Sequence, residues 1–168
     1  MNDIFEHSDA PDGRLRCIVE GDHESGSVFM YLHDLATKQV IGDAPVCSLV
    51  PLISLTEFKR TYRRGSVPPL VDGYFDRQGV IPDLDGSRIA FVWDADGSVT
   101  VTLDDRPVSR ISSKARKGSC VFVTKDGPWG KVCEPDAAPN SRPPSQFPSS
   151  PEVQSSDSQR TPSSGGCG

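Results

Sequence analysis

The feature that most constrains the fold is a pair of segments, 89–93 and 99–103, whose side chains follow a period of two. In segments 89–93 and 99–103, apolar side chains occupy every second position. The intervening residues 94–97 are turn formers that include a glycine able to adopt a positive φ. Period-two alternation places one face of each segment in a core, so a β-hairpin is predicted. Further strands near 108–112 and 120–124 extend it to an antiparallel meander.

The N-terminal third contains a second set of strand signals. Leu15, Cys17 and Val19 alternate with other residues and predict a first strand. Residues 28–33 are apolar on both faces, which predicts a central strand covered on both sides. Residues 39–41 pair back on it as a hairpin. The polar segment 1–13 is predicted to be a loose lead-in.

The middle of the chain predicts one helix. Pro45 and Pro51 interrupt the apolar run 46–53, which is expected to form an irregular connection or an edge strand. Ser54 and Glu57 then have the spacing of a capping box. Apolar residues follow at helical spacing, so a helix over 54–64 is predicted to stop at Gly65 and to pack on the sheet. A short helix over 68–75 is a further expectation.

This order of elements predicts an α+β class: a small antiparallel meander and hairpin sheet with one packed helix. The globular domain is expected to span 14–133. Residues 134–168 hold nine serines and seven prolines among 35 residues. A segment of that composition cannot bury enough apolar surface to offset its ordering entropy, so a disordered tail is predicted.

Charge and cysteine content indicate a soluble protein of the cytoplasm. The net charge is −5, which argues against bulk nucleic-acid binding. Residues 1–53 carry nine acidic and three basic side chains, a net −6, whereas residues 54–133 carry ten acidic and thirteen basic, a net +3. The N-terminus resembles no secretion signal, and no apolar run is long enough to span a membrane. Five cysteines without a C-x-x-C pair suit a reducing compartment.

No cofactor or metal site is predicted. The two D-x-D-G segments, 83–86 and 94–97, lack oxygen ligands at the outer positions of a calcium loop. The three histidines lie within the first 33 residues, and the cysteines have no zinc-type spacing. A small hydrolase remains an alternative. It would use Cys17 or Cys47 as nucleophile, His23 or His33 as base, and an acid from the list Asp22, Glu24 and Asp34.

Two features predict recognition of a partner. The first is a set of basic residues on the predicted helix and on an acid-free stretch near position 110. The second is a tryptophan on a Gly/Pro loop, which is typical either of a binding residue or of a plug at the end of a core. The candidate partner-binding residues are Lys59, Arg60, Arg63, Arg64, Arg110, Arg116, Lys117 and Trp129.

The sequence therefore predicts a non-catalytic domain that binds another protein, with an acidic partner expected from the basic residues. Its size, its acidity and the missing catalytic motifs are typical of an immunity or antitoxin-type inhibitor. Nucleic acid is not an expected partner, because few aromatic residues accompany the bases. Two alternatives are the hydrolase described above and an adaptor that acts through its disordered tail. No sequence feature predicts an oligomeric state.

Overall fold

The structure is a computed structural model that describes residues 2–133. The prediction for residues 134–168 lies outside the described residues. The first sheet has the order β1-β2-β3-β4 and is antiparallel throughout. Its strands are β1 (Asn2–Asp9), β2 (Leu15–Asp22), β3 (Ser27–Asp34) and β4 (Gln39–Ser48).

One short α-helix, α1 (Leu55–Thr61), and two 3₁₀ turns, Arg77–Gly79 and Gly86–Arg88, follow the first sheet in the chain. The second sheet has the order β5-β6-β7-β8-β9, with the last pair parallel. Its strands are β5 (Ile89–Trp93), β6 (Val99–Leu103), β7 (Arg106–Ser112), β8 (Lys117–Cys120) and β9 (Lys131–Val132). The predicted α+β class, with antiparallel hairpins and one helix, is confirmed.

The two sheets face each other and share the main core. Alternate residues of β2, β3 and β4 pack against alternate residues of β6 and β7, as expected for a sandwich. Two side-chain hydrogen bonds also connect the sheets. The Ser109 hydroxyl donates to the carbonyl of Pro45, and the Trp93 indole donates to the Ser8 hydroxyl at 3.0 Å. The central members of this core are Cys17, Val19, Val28, Met30, Leu32, Ala44, Val46, Val99, Val101 and Ile111.

The outer face of β3 is buried as well. Phe29, on the face opposite the main core, packs into a second cluster that the connecting segment 49–88 and the chain after β8 supply. We call this the outer cluster; its buried members are Phe29, Leu70, Val71, Phe75, Cys120, Val123 and Trp129. Strand β3 is therefore internal in its sheet and covered on both sides, as its two apolar faces predict.

The predicted loose lead-in is wrong for residues 2–9, which form β1. This strand pairs with β2 along its length, with an irregularity between Ile4 and Glu6. Its residues are mostly polar, so their pattern did not predict a strand. Backbone hydrogen bonds to β2 and cross-strand ion pairs hold it in the sheet. Asp9 accepts from Arg16 at 2.6 Å, and Asp3 contacts His23 at 2.6 Å.

The structure resolves the two expectations for residues 46–53. Residues up to Ser48 belong to β4, which has a neighbouring strand on one side only, and the residues after it are irregular. Pro45 lies inside this strand and is paired with Phe29. The register of the β3–β4 pair shifts between Val28 and Phe29, and such an irregularity accommodates proline, which has no amide hydrogen to donate.

The helix is shorter than predicted. Ser54 caps it by accepting from the amide of Glu57 at 3.2 Å, but the backbone is already extended at Tyr62. The chain turns there because residues 67–71 return to the outer cluster, where Val71 bridges Ile53. For the same reason residues 68–75 do not form the expected helix. The helix packs on the outer cluster through Phe58 rather than on a sheet.

The fourth strand of the predicted meander is displaced toward the N-terminus. It is Lys117–Cys120 rather than 120–124. Residues after Cys120 leave the sheet because Phe122 and Val123 pack against the outer cluster. The carbonyl of Phe122 there accepts the amide of Asp76 at 2.7 Å.

The close contact between the sheets generates a stability prediction. A Cβ on Gly118 would collide with the carbonyl oxygen of Asp43 and the methyl group of Ala44. We expect Gly118→Ala to lower the free energy of unfolding by about 3 kcal/mol or more, since the obstacle is backbone. Gly13→Ala is the control: it has open space but a φ of 67°, and should cost about 1 kcal/mol. Urea unfolding measures both, and equal losses would contradict this packing.

Candidate basic interface

Four basic residues on and just after α1 form an exposed cationic surface. Lys59, Arg60, Arg63 and Arg64 are all exposed. Arg60 lies 3.9 Å from Glu57, a long contact within one helical turn. Within residues 2–133, no ion pair involves the other three. We call these four residues the helix basic face.

Four arginines elsewhere in the described chain, Arg16, Arg77, Arg88 and Arg110, are paired much more closely. Hydrogen bonds from Arg16, Arg77 and Arg88 hold the pKa values of their aspartate partners below the ordinary range. Arg110 pairs with Asp94 at 2.5 Å and also contacts the hydroxyl of Thr100. The helix basic face therefore differs from these arginines, because its charges are not already engaged by neighbouring carboxylates. The aspartate partners of the first three are Asp9, Asp72 and Asp104.

A chain of aromatic contacts fixes the position of the helix. The ring of Phe58 stacks on Tyr62, with centroids 4.7 Å apart, and meets the edge of Trp129 at 5.2 Å. Trp129 in turn contacts Tyr74 at 5.2 Å, and the ammonium group of Lys125 lies 5.3 Å above the Tyr74 ring. Such contacts give each pair a defined geometry. The four basic residues thus lie on, or just after, a helix that is anchored on the outer cluster.

Trp129 is a packing residue rather than a partner contact. Only 5% of it is exposed, and its rings lie between Phe58 and Tyr74. Of the two sequence-based interpretations, the structure supports the plug. Its indole nitrogen is buried and has no hydrogen-bond acceptor among the described residues. Trp129 therefore supports the helix from its buried side through Phe58, and its own side chain is not accessible to a partner.

The other predicted basic residues lie on a different surface. Arg116 and Lys117 are exposed at the β7–β8 turn, near the start of β2, where Ser113 donates to the Asp96 carbonyl and Gly97 lies beside Leu15. The helix lies beside residues 22–25, at the far end of β2. Eight residues of β2 span about 26 Å at roughly 3.3 Å each. The structure therefore separates the predicted set into two clusters.

An acidic groove borders the helix. It has a volume of about 340 Å³, and its lining includes Asp22, Glu24 and Glu57 as well as Ser66 from the turn after the helix. Because Arg60 lies 3.9 Å from Glu57, this groove adjoins the helix basic face.

The hydrolase constellation is not assembled among the described residues. Cys17 and Cys47 are fully buried, and burial raises the pKa of each thiol to about 12. Cys17 lies opposite Leu32 in the β2–β3 register, so His33 projects to the other face. His23 instead contacts Asp3 at the surface. A nucleophile needs a base within hydrogen-bond reach, which these residues do not provide.

Residues 2–133 contain neither a metal-binding cluster nor a helix that could cross a membrane. No cluster of three or more Cys, His, Asp or Glu side chains has a geometry that could hold a metal ion. None of the helices there combines the length and the apolar character that crossing a bilayer requires.

The buried thiols generate a pH prediction. An unfolded cysteine loses its proton above about pH 8.5, whereas the folded chain holds the pKa of Cys17 and Cys47 at about 12 and that of Cys120 at about 11. The unfolded state thus releases protons that the folded state keeps. Stability should be unaffected by these thiols below pH 8.5 and fall above it, by up to about 1.4 kcal/mol per pH unit for each thiol.

Urea unfolding between about pH 8 and 10 measures this slope. Cys17→Ala is expected to be less stable at neutral pH but to show a shallower decline with pH, because one of the three thiols is gone. Identical slopes for the two proteins would show that Cys17 does not stay protonated in the folded state.

No protein-family model, curated protein or solved structure matches this chain.

Proposed function

We propose that this protein is a non-catalytic binding domain that captures an acidic protein partner through the helix basic face. The observation that carries the proposal is the concentration of four exposed cations within residues 59–64, where, in the described chain, the only ion pair is the long 3.9 Å contact of Arg60 with Glu57. Arg16, Arg77, Arg88 and Arg110 are engaged by aspartates, whereas the cations of the helix basic face are exposed and, Arg60 apart, unpaired within residues 2–133. Exposed cations of this kind steer a partner of opposite charge and accelerate its association.

The chemistry of the face favours carboxylates. Three of its four residues are arginines, whose planar guanidinium groups match a carboxylate with two parallel hydrogen bonds. Nucleic acid would also need aromatic faces on which bases can stack. The rings of Phe58 and Trp129 are instead packed against each other. A net charge of −5 further disfavours a polyanion as long as nucleic acid.

A binding-only role of this type is typical of immunity or antitoxin-type inhibitors, which act by occupying a surface of another protein. The buried, unpaired thiols of Cys17, Cys47 and Cys120 support a reducing compartment, and we propose the cytoplasm as its location.

The double substitution Arg60→Glu with Arg64→Glu tests the proposal. Both side chains are exposed, so the melting temperature should change little. Affinity for poly-L-glutamate at low salt should fall about tenfold or more, since two attractive contacts become repulsive and about 1.4 kcal/mol is a factor of ten. The wild-type interaction should weaken with added salt. Fluorescence anisotropy of labelled polyglutamate measures both effects.

Lys114→Glu with Lys117→Glu is the matched control. It makes the same change in net charge at the opposite end of β2, on exposed residues. We expect it to keep most of the affinity. If this control loses binding and the helix variant retains it, the interface is the β7–β8 turn. If the helix variant unfolds, its arginines are structural and the proposal fails.

A further inference from the structure

The turn that follows α1 contains a serine in a basic context. Ser66 follows Arg63, Arg64 and Gly65 and precedes Val67. Arginines two and three positions before a serine form a charge pattern that acidic pockets of arginine-directed protein kinases select. The same pattern occurs a second time, where Arg116 and Lys117 precede Gly118 and Ser119. Sequence alone does not distinguish the two serines.

The structure separates them. Ser119 lies inside β8, paired with Arg110 on one side and with Lys131 on the other. The preceding Gly118 is pressed against the backbone of β4 at Asp43. A kinase binds its substrate segment in an extended conformation, which this site cannot offer without dismantling the sheet. Ser119 is therefore excluded as an acceptor in the folded protein.

Ser66 is accessible by comparison. It is exposed, and the turn from Arg63 to Ser66 lies outside every helix and strand. Its amide and its hydroxyl both donate to the carbonyl of Arg63, at 3.2 and 2.6 Å. Gly65 has a φ of 94° and nothing within 4 Å of a Cβ position. These two hydrogen bonds, together with the contact of Val67 with the outer cluster, have to open for residues 63–67 to become extended.

We propose that Ser66 is a phosphorylation site for an arginine-directed serine kinase, and that its modification turns off the helix basic face. In this reaction the Ser66 hydroxyl oxygen attacks the γ-phosphorus of ATP. The bond from that phosphorus to the β,γ-bridging oxygen breaks, ADP leaves, and the hydroxyl proton passes to a base of the kinase. No further co-reactant is needed.

The added group changes the charge between the helix basic face and the acidic groove, whose lining includes Ser66 as well as Asp22, Glu24 and Glu57. A phosphoserine carries a charge of about −1.5 to −2 and three strong acceptor oxygens. Arg63 and Arg64 lie three and two residues away, respectively, and within the described chain have no ion-pair partner. Their guanidinium groups would engage the phosphate and be withdrawn from an acidic partner. This second step rests on the proposed function; the acceptor site does not.

The test uses the full chain with the catalytic subunit of cyclic-AMP-dependent protein kinase and Mg·ATP, followed by peptide mapping. We expect phosphate on Ser66 in the wild type and none at that position in Ser66→Ala. Ser87→Ala is the matched control, because Ser87 also follows a glycine in an exposed turn but has Asp83 and Asp85 before it. That control should be phosphorylated at Ser66 like the wild type. Arg63→Gln with Arg64→Gln should slow the reaction about tenfold or more.

A synthetic peptide of residues 60–70 separates sequence from structure. If the kinase modifies this peptide but leaves Ser66 of the folded chain unmodified, the turn is closed and the site is overturned. Phosphorylated protein should bind labelled polyglutamate about tenfold more weakly than unmodified protein. If it binds equally well while Arg60→Glu with Arg64→Glu fails to bind, the switch is overturned and the proposed function stands. If polyglutamate binds neither the unmodified protein, nor the phosphorylated protein, nor the arginine variant, the proposed function fails and the acceptor site stands.

Discussion

The burial of both faces of strand β3 is the constraint on which the rest of the structure depends. The inner face of β3 packs on the second sheet through Val28, Met30 and Leu32, and its outer face buries Phe29 in the outer cluster. A sheet with two apolar faces needs two covers. The second sheet supplies one. The segment between the sheets supplies the other, which is why it is irregular, returns repeatedly to the same cluster and carries only a seven-residue helix. The position of that helix, and with it the basic face, follows from the need to cover Phe29.

The sequence predicted those elements whose formation depends on residues close to one another in the chain. The alternation in 89–103, the two apolar faces of β3 and the Ser54 cap correspond to β5, β6, β3 and the start of α1. The elements that were missed depend on distant partners. Strand β1 is polar and is held by its pairing with β2, and α1 ends at Thr61 because the following chain is drawn to the outer cluster. The helical spacing of Phe58 and Tyr62 predicted exposed arginines, but Arg63 and Arg64 are exposed in the turn that follows the end of α1 at Thr61. The distance between α1 and the β7–β8 turn was not predictable, because it depends on how the two sheets pack.

Four arginines on strands and 3₁₀ turns pair with aspartates of neighbouring segments, as Arg88 does with Asp104 at 2.6 Å. Exposed pairs of this kind each contribute little to stability. Leaving Arg63 and Arg64 without such partners in the described chain therefore has a small cost for folding, and it leaves two guanidinium groups exposed to solvent. Trp129, although buried, serves the same surface by holding Phe58 and thus the helix in place.

The central claim is that recognition occurs at the helix basic face. The most direct measurement is a residue-resolved NMR titration of the isotope-labelled full chain with polyglutamate, which reports every perturbed backbone amide. Shift changes are expected to be confined to residues 59–66, with the amides of 112–118 unaffected. Shift changes centred on 112–118, or spread evenly over all exposed basic residues, would contradict the central claim.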